Sequence, residues 1–328
     1  MGERPDGTVV GVDIGGTKVG LRAVAPDDPS VVLAEARVDT PSGDPDALVA
    51  AVTDATIELA GGRPAALGVG VAGLVTRDGV VRYSPNLPGV QEFPLGQRLS
   101  DSLGCPVVVD NDATAATLAE WRVGAGRGHD DLLLVTLGTG IGAGLVMGGQ
   151  LQRGAHGFAG EPGHMVVDPA GAPCACGRRG CWEAHASGSA LGRMGAEAAA
   201  AHDASVLAAL ADGGVLRGED VVAAALGGDD VARSVLDVFA RWVALGLANL
   251  VSVLDCSVVV IGGGLVDLGD LLLEPVRQHL GGLVMGAAHR PAVTVVSAAL
   301  GSSAGSAGAA LAAAQAVGVT RGGRGSVA

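Results

Sequence analysis

Four residues with metal-binding side chains lie within 18 positions of one another, in a stretch that reads HMVVDPAGAPCACGRRGCWE from residue 164. They are His164, Cys174, Cys176 and Cys181, and the glycine and proline residues between them allow the backbone to fold back on itself. One imidazole and three thiolates form the ligand set of a closed tetrahedral zinc site, which leaves no position open for a catalytic water. The stretch therefore predicts a structural zinc site. Three reduced core cysteines with a capping histidine are the alternative interpretation.

Two carboxylates flank this zinc motif. Glu161 lies three residues before the histidine, and Glu183 lies two residues after the last cysteine. A folded metal loop would hold both side chains near one another, and carboxylates accept hydrogen bonds from the hydroxyl groups of a polyhydroxylated ligand. Our hypothesis is that the loop positions one wall of a sugar pocket. A zinc loop that only stabilises the fold is the alternative.

A glycine turn near the start of the chain is typical of an anion-binding hairpin. The β-branched run at 8–12 leads into Asp13 and the turn Gly15-Gly16-Thr17-Lys18, and an apolar pattern resumes at 19–24, which reads as strand, tight turn and strand. Backbone N–H groups of such a turn can approach an anion, and Asp13 is placed to act on a metal ion or its water shell. A plain hairpin is the alternative, and the Walker A spacing is absent.

The same design returns 123 residues later. A second apolar strand, a turn at Gly138-Thr139-Gly140 and another apolar strand follow one another there. Two similar units predict an internal duplication in which each unit opens one lobe. Two anion-binding turns would hold a polyphosphate between the lobes, which favours nucleotide binding.

A candidate general base follows a short buried strand. The strand at 106–110 delivers Asn111 and Asp112 at its carboxyl end, just before a helix at 113–121. In open α/β sheets ligands bind outside the carboxyl ends of the strands. Asp112 is therefore a candidate base, and an N-cap of the following helix is its alternative role.

The remaining pattern is that of alternating strands and helices. Helices are predicted at 46–59, 95–103, 187–210, 230–254 and 303–317, with a short one inside 213–228, and further strands at 66–71, 257–261 and 293–296. The strand at 257–261 ends in Gly262-Gly263-Gly264, which would let a flat nucleobase or ribose approach the backbone, with a plain turn as the alternative. Residues 321–328 are predicted to form a disordered tail.

Composition restricts the class of protein. With 48 % hydrophobic and 17 % charged residues, the 328-residue chain is globular and long enough for two domains. A net charge of −13 without basic runs disfavours nucleic acid as a partner. We expect no membrane partner, since the first residues lack a signal-peptide core and glycine interrupts the longest apolar runs. Three clustered cysteines out of five, with Cys105 and Cys256 as small buried hydrophobes, favour a reducing cytoplasm over a disulfide framework.

Three motifs in this order resemble those of one family. They are DIGGTK from Asp13, GFAGEPGH from Gly157 and CACGRRGCWE from Cys174. Together they resemble the ROK family of repressors, open reading frames and kinases, most closely its actinobacterial glucokinases, and the resemblance covers nearly the whole chain. The chain departs from that pattern at His185, where many relatives carry an aromatic residue, and at Cys256, where proline is common.

The resemblance implies an α/β fold of the actin-like ATPase class, a duplicated ribonuclease H-like sugar-kinase fold of two lobes with an interlobe cleft. The small lobe would comprise residues 1–118 and 303–328, and the large lobe residues 119–302. ATP and Mg²⁺ would bind between the lobes, and the sugar deep in the cleft. The zinc would remain structural.

The resemblance also implies roles for individual residues. Asp112 would take the proton from the sugar 6-hydroxyl. The other sugar-binding positions would be Gly73, Asn86, Asn111, Glu161, His164 and Glu183. The ATP-binding positions would be Asp13, Gly15, Gly16, Thr17, Lys18, Gly138, Thr139 and Gly140 on the phosphate side, and Gly263 and Gly264 on the adenosine side.

The function implied is ATP-dependent phosphorylation of glucose at the 6-hydroxyl by a cytoplasmic homodimer or homotetramer. The alternatives are another ROK kinase acting on N-acetylmannosamine, N-acetylglucosamine, fructose or allose, or a kinase with polyphosphate as the donor. A sugar-responsive repressor would need a DNA-binding domain before Asp13, where only 12 residues stand. A sugar sensor without catalysis is a further alternative, against which Asp112 and both phosphate turns weigh.

Overall fold

The chain divides into two units, each built around one five-stranded sheet. The computed structural model describes residues 7–211 and 213–318, so the tail predicted at 321–328 lies outside the described residues. Unit 1 comprises Met1–Gly128, Leu151–Ala159 and Ser302–Ala328, and unit 2 comprises His129–Gln150 and Gly160–Gly301. Each unit is therefore assembled from separate segments of the chain.

Strands and helices alternate along most of the described chain. The strands are β1 (Val9–Ile14), β2 (Lys18–Val24), β3 (Val32–Asp39), β4 (Ala66–Val71), β5 (Leu74–Val75), β6 (Val81–Tyr83), β7 (Gln91–Phe93), β8 (Val107–Asn111), β9 (Leu132–Leu137), β10 (Ile141–Met147), β11 (Gln150–Gln152), β12 (Val258–Gly262) and β13 (Thr294–Ser297). The α-helices are α1 (Pro45–Ala60), α2 (Leu95–Leu103), α3 (Asp112–Val123), α4 (Glu183–Ala186), α5 (Gly188–Ala201), α6 (Val206–Ala211), α7 (Gly218–Leu226), α8 (Asp230–Leu254), α9 (Asp270–Leu283) and α10 (Ala304–Ala316). Short 3₁₀ helices lie at Pro162–His164, Gly264–Leu268, Ala287–His289 and Gly301–Ser303.

The sheet of unit 1 brings three strand ends to one edge. Its order is β3-β2-β1-β4-β8, with β1 antiparallel to β2 and parallel to β4, which is in turn parallel to β8. The register places Ile14 beside Val71, and Val71 beside Asn111. Because parallel strands end at the same edge, the residues that follow β1, β4 and β8 lie close together.

The sheet of unit 2 repeats this topology. Its order is β11-β10-β9-β12-β13, with β9 antiparallel to β10 and parallel to β12, which is parallel to β13. Each sheet thus starts with a hairpin at a glycine turn and continues with two parallel strands. The α/β fold class with an internal duplication, predicted from the repeated turn, is confirmed.

Glycine on the sheet of unit 1 lets α10 lie directly against the strands. Val10 and Val12 of β1 belong to the core formed with α1 and α2, whereas Gly11 points to the opposite face, as the alternation of a strand requires. A Cβ at Gly11 would overlap the carbonyl oxygen of Ser306, and one at Gly68 would overlap that of Ala309. Because neither strand residue carries a side chain, the backbone of α10 lies directly against the sheet.

The helix predicted at 187–210 is interrupted. Helix α5 ends before His202, and α6 starts again at Val206. The Ser205 hydroxyl accepts the Ala208 N–H at 3.1 Å, and Asp229 accepts the Val206 N–H at 2.7 Å. These two acceptors cap a new helix, which is why the helical pattern does not continue. Strand β3, the four short strands β5, β6, β7 and β11, and helices α4 and α9 were not predicted.

Helix α8 is long and apolar enough to cross a membrane by length and composition, alone among the helices of the described part. One apolar run therefore does have the length needed to span a bilayer, contrary to the expectation from the sequence. Its Phe239, Val243 and Leu247 are fully buried in the core of unit 2. Burial of this kind is typical of the central helix of a folded domain.

Candidate active site

The first glycine turn joins β1 to β2 and is open to approach. The Gly15 N–H donates to the Lys18 carbonyl at 3.0 Å, and the Thr40 hydroxyl donates to the Gly15 carbonyl at 2.7 Å. Gly16 and Thr17 are exposed, and a Cβ at Gly16 would lie 3.1 Å from the carbonyl oxygen of Asn86. These two hydrogen bonds fix the shape of the turn. The turn lies against Asn86, a residue predicted to contact the sugar.

Two carboxyl groups lie beside this turn. A Cβ at Gly70 would lie 3.5 Å from the Cα of Asp112 and 3.8 Å from Oδ1 of Asp13, and a Cβ at Gly305 would lie 2.5 Å from Oδ2 of Asp13. Burial raises the pKa of Asp13 to about 7, and the negative charge of Asp112 adds to this rise. Burial also raises the pKa of Asp112, which the N–H of Ala113 partly offsets. A buried carboxyl with a raised pKa is characteristic of general bases and of metal-binding groups.

The junction between β8 and α3 decides which residue caps the helix. Asn111 accepts the Thr114 N–H through Oδ1 at 3.0 Å, so it is the N-cap. Its Nδ2 donates to the carbonyl of Gly73 at 3.2 Å. Asp112 is the first residue of the helix and accepts the Ala113 N–H at 2.9 Å. Asn111, and not Asp112, therefore caps helix α3.

Gly73 occupies a position that only glycine fits. Its φ is +125°, and a Cβ there would overlap the carbonyl oxygen of Tyr83. The turn after β4 consequently lies flat against β6, with its carbonyl directed to Asn111. The predicted sugar positions Gly73, Asn86, Asn111 and Asp112 and the first phosphate turn all belong to this edge of unit 1.

The four predicted zinc ligands converge in unit 2. Their ligand atoms all lie within 4.8 Å of one another. The Cys176 and Cys181 sulfurs are 3.6 Å apart, and the Cys174 sulfur is 3.7 Å from Nδ1 of His164. Zinc with Zn–S of about 2.3 Å and Zn–N of about 2.0 Å would set these ligand separations at about 3.8 and 3.5 Å in a tetrahedron. The donor set and its geometry therefore fit zinc.

The backbone of the loop explains why these residues converge. The Cys174 N–H donates to the Arg178 carbonyl at 2.8 Å, and the Gly177 N–H donates to the Cys174 carbonyl at 3.0 Å. A Cβ at Gly180 would overlap the carbonyl oxygen of Asp168. The Arg178 N–H lowers the pKa of Cys176 to about 6, whereas burial raises the pKa of Cys174 to about 12. Binding of zinc would require all three thiols to lose their protons.

Glu183 connects the zinc loop to the second glycine turn. Its Oε2 accepts the Ile141 N–H at 2.9 Å, and its Oε1 lies 3.8 Å from the Cys174 sulfur. A Cβ at Gly140 would overlap Oε2. The carbonyl of Glu161, the other carboxylate residue, accepts the His164 N–H at 3.2 Å. The zinc loop, both carboxylate residues and the second turn are therefore neighbours within unit 2.

A cavity of about 570 Å³ opens beside the second glycine turn. Gly138 and Thr139 line it, as does Gly264, where a Cβ would meet nothing within 4 Å. Gly263 does not line it; its φ is +85°, and a Cβ there would overlap the carbonyl oxygen of Leu137. The two glycines predicted for the adenosine side therefore differ: Gly264 borders open space, and Gly263 allows the backbone to pack.

Several residues of this cavity were missed from the sequence. The Gly188 N–H donates to the Gly138 carbonyl at 2.7 Å, and the Ser189 hydroxyl donates to the Thr139 carbonyl at 3.0 Å. The start of α5 thus supports the second turn, and Gly192 and 215–219 complete the wall. The available signal was Ser187, a helix N-cap followed at once by glycine.

Comparison with known proteins agrees with the motifs. The model of the ROK family matches residues 9–316. The chain belongs to the ROK family. It is 42 % identical to the glucokinase of Streptomyces coelicolor over 93 % of this chain and 96 % of that protein. It is 38 % identical to the glucokinase of Halalkalibacterium halodurans, covering 82 % of this chain and 84 % of that protein.

The ROK fold is shared with solved structures as well. A ROK family glucokinase from Streptomyces griseus, solved in complex with glucose and AMPPNP, matches with a TM-score of 0.83 at 41 % identity. The match covers 94 % of this chain and 100 % of that one. The fold is thus that of the ROK sugar kinases, as the DIGGTK and CACGRRGCWE motifs predicted, and it is consistent with the actin-like ATPase class.

Proposed function

We propose that this ROK protein catalyses the ATP-dependent phosphorylation of glucose at the 6-hydroxyl, giving glucose 6-phosphate. The observation that carries the proposal is the placement of a buried carboxyl, Asp112, beside Asp13 and the first glycine turn. A base and an anion-binding turn at the same edge are the two parts that phosphoryl transfer to a hydroxyl requires. The similarity to the Streptomyces coelicolor glucokinase supports glucose as the substrate.

In this mechanism Asp112 acts as the general base. Its carboxylate accepts the proton of the sugar hydroxyl as the oxygen attacks the terminal phosphorus of ATP, and the bond from that phosphorus to the bridging oxygen breaks as ADP leaves. The hydrogen bonds of Asn111 to Gly73 and to the backbone of Thr114 fix the position of the base at the start of the helix. Such positioning and one base are the main protein contributions expected for phosphoryl transfer.

The remaining sugar contacts are proposed on both units. On unit 1, Gly73, Asn86 and Asn111 would meet the sugar. On unit 2, Glu161 and Glu183 would do so as acceptors of sugar hydroxyl groups, and His164 as a donor to a sugar oxygen. The ligand geometry leaves Nε2 of His164 for a hydroxyl when Nδ1 binds zinc, and the metal would fix the tautomer.

ATP is proposed to use both glycine turns. Gly15, Gly16, Thr17 and Lys18 on one turn and Gly138, Thr139 and Gly140 on the other would bind its phosphates. The cavity beside Gly264 would hold the adenosine, with Gly263 supporting the backbone. A volume of about 570 Å³ lies in the range of small-molecule pockets.

Two metal ions are part of the proposal. His164, Cys174, Cys176 and Cys181 would hold zinc, which supplies a rigid closure of the loop that carries the sugar-binding carboxylates. Asp13 offers the carboxylate oxygen that Mg²⁺ prefers, and magnesium arriving with ATP would neutralise phosphate charge. All chemistry on the sugar hydroxyl is assigned to Asp112.

Cellular context belongs to the proposal too. None of the five cysteines forms a disulfide, which supports a cytoplasmic location, and we propose that the enzyme acts in glycolysis. A homodimer or homotetramer would cover apolar side chains of unit 2 that are exposed in the single chain, among them Val238 and Val253. We also retain the lobe boundaries 1–118 with 303–328, and 119–302, as a proposal.

The test is a coupled assay of the purified protein with ATP and Mg²⁺ across glucose, mannose, fructose, allose, N-acetylglucosamine and N-acetylmannosamine. We expect kcat/KM for glucose to exceed that of every other sugar. Turnover confined to an acetylated sugar would replace the substrate and keep the mechanism. Turnover with polyphosphate in place of ATP would replace the donor. Folded, zinc-loaded protein without turnover on any sugar would point to a sensor and overturn the proposal.

A further inference from the structure

An ion pair lies directly before the junction that carries the proposed base. Asp110, the penultimate residue of β8, has a side chain that is only 10 % exposed. Its Oδ2 accepts Nε of Arg153 at 2.7 Å, and its Oδ1 accepts the backbone N–H of Asn111 at 3.2 Å. One buried carboxylate therefore joins an arginine to the residue that precedes Asp112.

Arg153 belongs to a short segment that is fixed to unit 1. We call this segment, Leu151–Ala159, the strap. The Ala159 N–H donates to the Arg153 carbonyl at 3.1 Å, which closes the strap on itself. Nε of Arg77 donates to the Gly154 carbonyl at 3.1 Å, and a Cβ at Gly157 would overlap the carbonyl of Val75. The strap thus presents Arg153 to Asp110 in one orientation.

The protonation state of Asp110 depends on its ion pair with Arg153. Burial raises the pKa of Asp110, and the charge and hydrogen bond of Arg153 oppose that rise. A buried carboxylate that loses its partner either takes up a proton or draws in water. Either change weakens the second hydrogen bond of Asp110, the one to the Asn111 N–H. The effect would reach Asp112 through one peptide unit.

We propose that Arg153 is a positioning residue for phosphoryl transfer, acting through Asp110 on the junction that presents Asn111 and Asp112. This inference rests on the proposed function and names a residue outside the three motifs typical of the family. Arg153 is assigned no contact with the reacting atoms. Its effect is to hold Asp112 in the orientation in which the carboxylate accepts the proton of the sugar hydroxyl.

The test compares Arg153→Gln with Arg82→Gln. Arg82 also forms an ion pair in unit 1, with Glu92, but both side chains are at least half exposed, so its loss is expected to leave kinetics unchanged. For Arg153→Gln we expect kcat per folded active site to fall about 10- to 100-fold, the loss typical of a misplaced catalytic group. The KM for ATP should stay at the wild-type value.

Three further measurements separate positioning from a purely structural role. Arg153→Lys keeps the positive charge but lacks the planar guanidinium group, and it should restore part of kcat. The double variant Arg153→Gln with Asp110→Asn should lose no more than the worse single variant, because residues that act as one pair are not additive. Kinetic constants are normalised to the folded fraction measured by circular dichroism, so that unfolding alone does not lower kcat.

Wild-type kcat in folded Arg153→Gln would overturn the inference, as would fully multiplicative losses in the double variant. If Arg153→Gln does not fold, Arg153→Lys and Asp110→Asn carry the same comparison. Failure of the proposed function has a different signature, since wild-type protein would then show no sugar kinase turnover at all. If the wild type phosphorylates glucose and Arg153→Gln has the same kcat, only the positioning role of the ion pair is refuted.

Discussion

The carboxyl group of Asp13 and the Cα of Asp112 both border Gly70, and the charge of Asp112 adds to the burial that raises the pKa of Asp13 to about 7. The glycine between β1 and α3 leaves room for two acidic groups that repel one another. Repulsion of this kind costs stability unless a cation or a proton lies nearby. The pair therefore marks a position suited to a metal-bound phosphate and a base.

Replacement of the proposed base is the most direct prediction. Asp112→Asn should keep the fold and glucose binding and lower kcat about 10²- to 10⁴-fold, the usual contribution of a general base. Steady-state kinetics and calorimetric titration with glucose provide the two readouts. Asp101→Asn, at an exposed carboxylate of α2, is the matched control and should retain full activity. A kcat near the wild-type value in Asp112→Asn would contradict the assignment.

Protonation of Asp13 predicts a dependence of stability on pH. Its pKa is about 7 in the folded protein and about 3.8 when unperturbed. The folded state thus binds this proton more tightly, and the stabilisation is complete below pH 3.8 and is lost as pH rises through 7. Asp13→Asn should therefore gain stability relative to the wild type between pH 5 and pH 8, by a few kcal/mol at about 1.4 kcal/mol per pKa unit.

Urea unfolding at pH 5 and pH 8 without Mg²⁺ measures this gain, with Asp101→Asn as the exposed control. If the difference in unfolding free energy between Asp13→Asn and the wild type is the same at pH 5 and pH 8, the Asp13 carboxyl is not buried as described. Activity of the wild type should depend on pH in the opposite direction to this stabilisation, because Asp112 also has a raised pKa and works as a base only when ionised. We expect kcat/KM to fall as the pH is lowered.

Loss of one zinc ligand should alter glucose affinity selectively. Cys176→Ser removes a thiolate from the cluster and should weaken zinc binding by more than the roughly 10- to 100-fold typical of outer-shell changes. The glucose KM should rise, since Glu183 lies against Cys174 of the same loop. Zinc content by atomic emission and steady-state kinetics are the measurements. Cys105→Ala, at a buried thiol of unit 1, should keep both values, and a zinc-free Cys176→Ser protein with normal glucose KM would refute the link.

The cavity beside the second turn predicts a nucleotide effect. A Cβ at Gly264 meets no atom within 4 Å, so Gly264→Val should fold normally while its side chain occupies space in the cavity. The KM for ATP should rise about tenfold or more, equivalent to 1.4 kcal/mol, with the glucose KM unchanged. Gly282→Val, at a site in α9 with equally open space, is the control. If Gly264→Val leaves the KM for ATP unchanged, the adenosine does not bind in this cavity.

Local motifs made much of the site predictable from the sequence. The glycine turns, the zinc spacing and the strand before Asp112 each depend on residues close together in the chain, where residue type limits the backbone. The parallel register of β1, β4 and β8 then brings the first glycine turn and Asp112 to one edge of the sheet of unit 1. A strand pattern predicts that edge without knowledge of the side-chain contacts.

Contacts between distant segments were not predictable in this way. Arg153 meets Asp110 across 43 positions, and Glu183 meets Ile141 across 42, and no periodicity links either pair. The capping of α3 was undecidable for another reason, because Asn and Asp have nearly equal preference for the N-cap. Only the geometry of Asn111, which also reaches Gly73, assigns the cap.

The position of α10 has a consequence for synthesis on the ribosome. This helix covers β1 and β4 through Gly11 and Gly68, yet all of unit 2 is translated between those strands and the helix. One face of the nascent first sheet stays uncovered for roughly ten to fifty seconds of elongation at about 5–20 residues per second. Alanine and glycine on that waiting face, in place of large apolar side chains, lower its tendency to associate with other nascent chains during the delay.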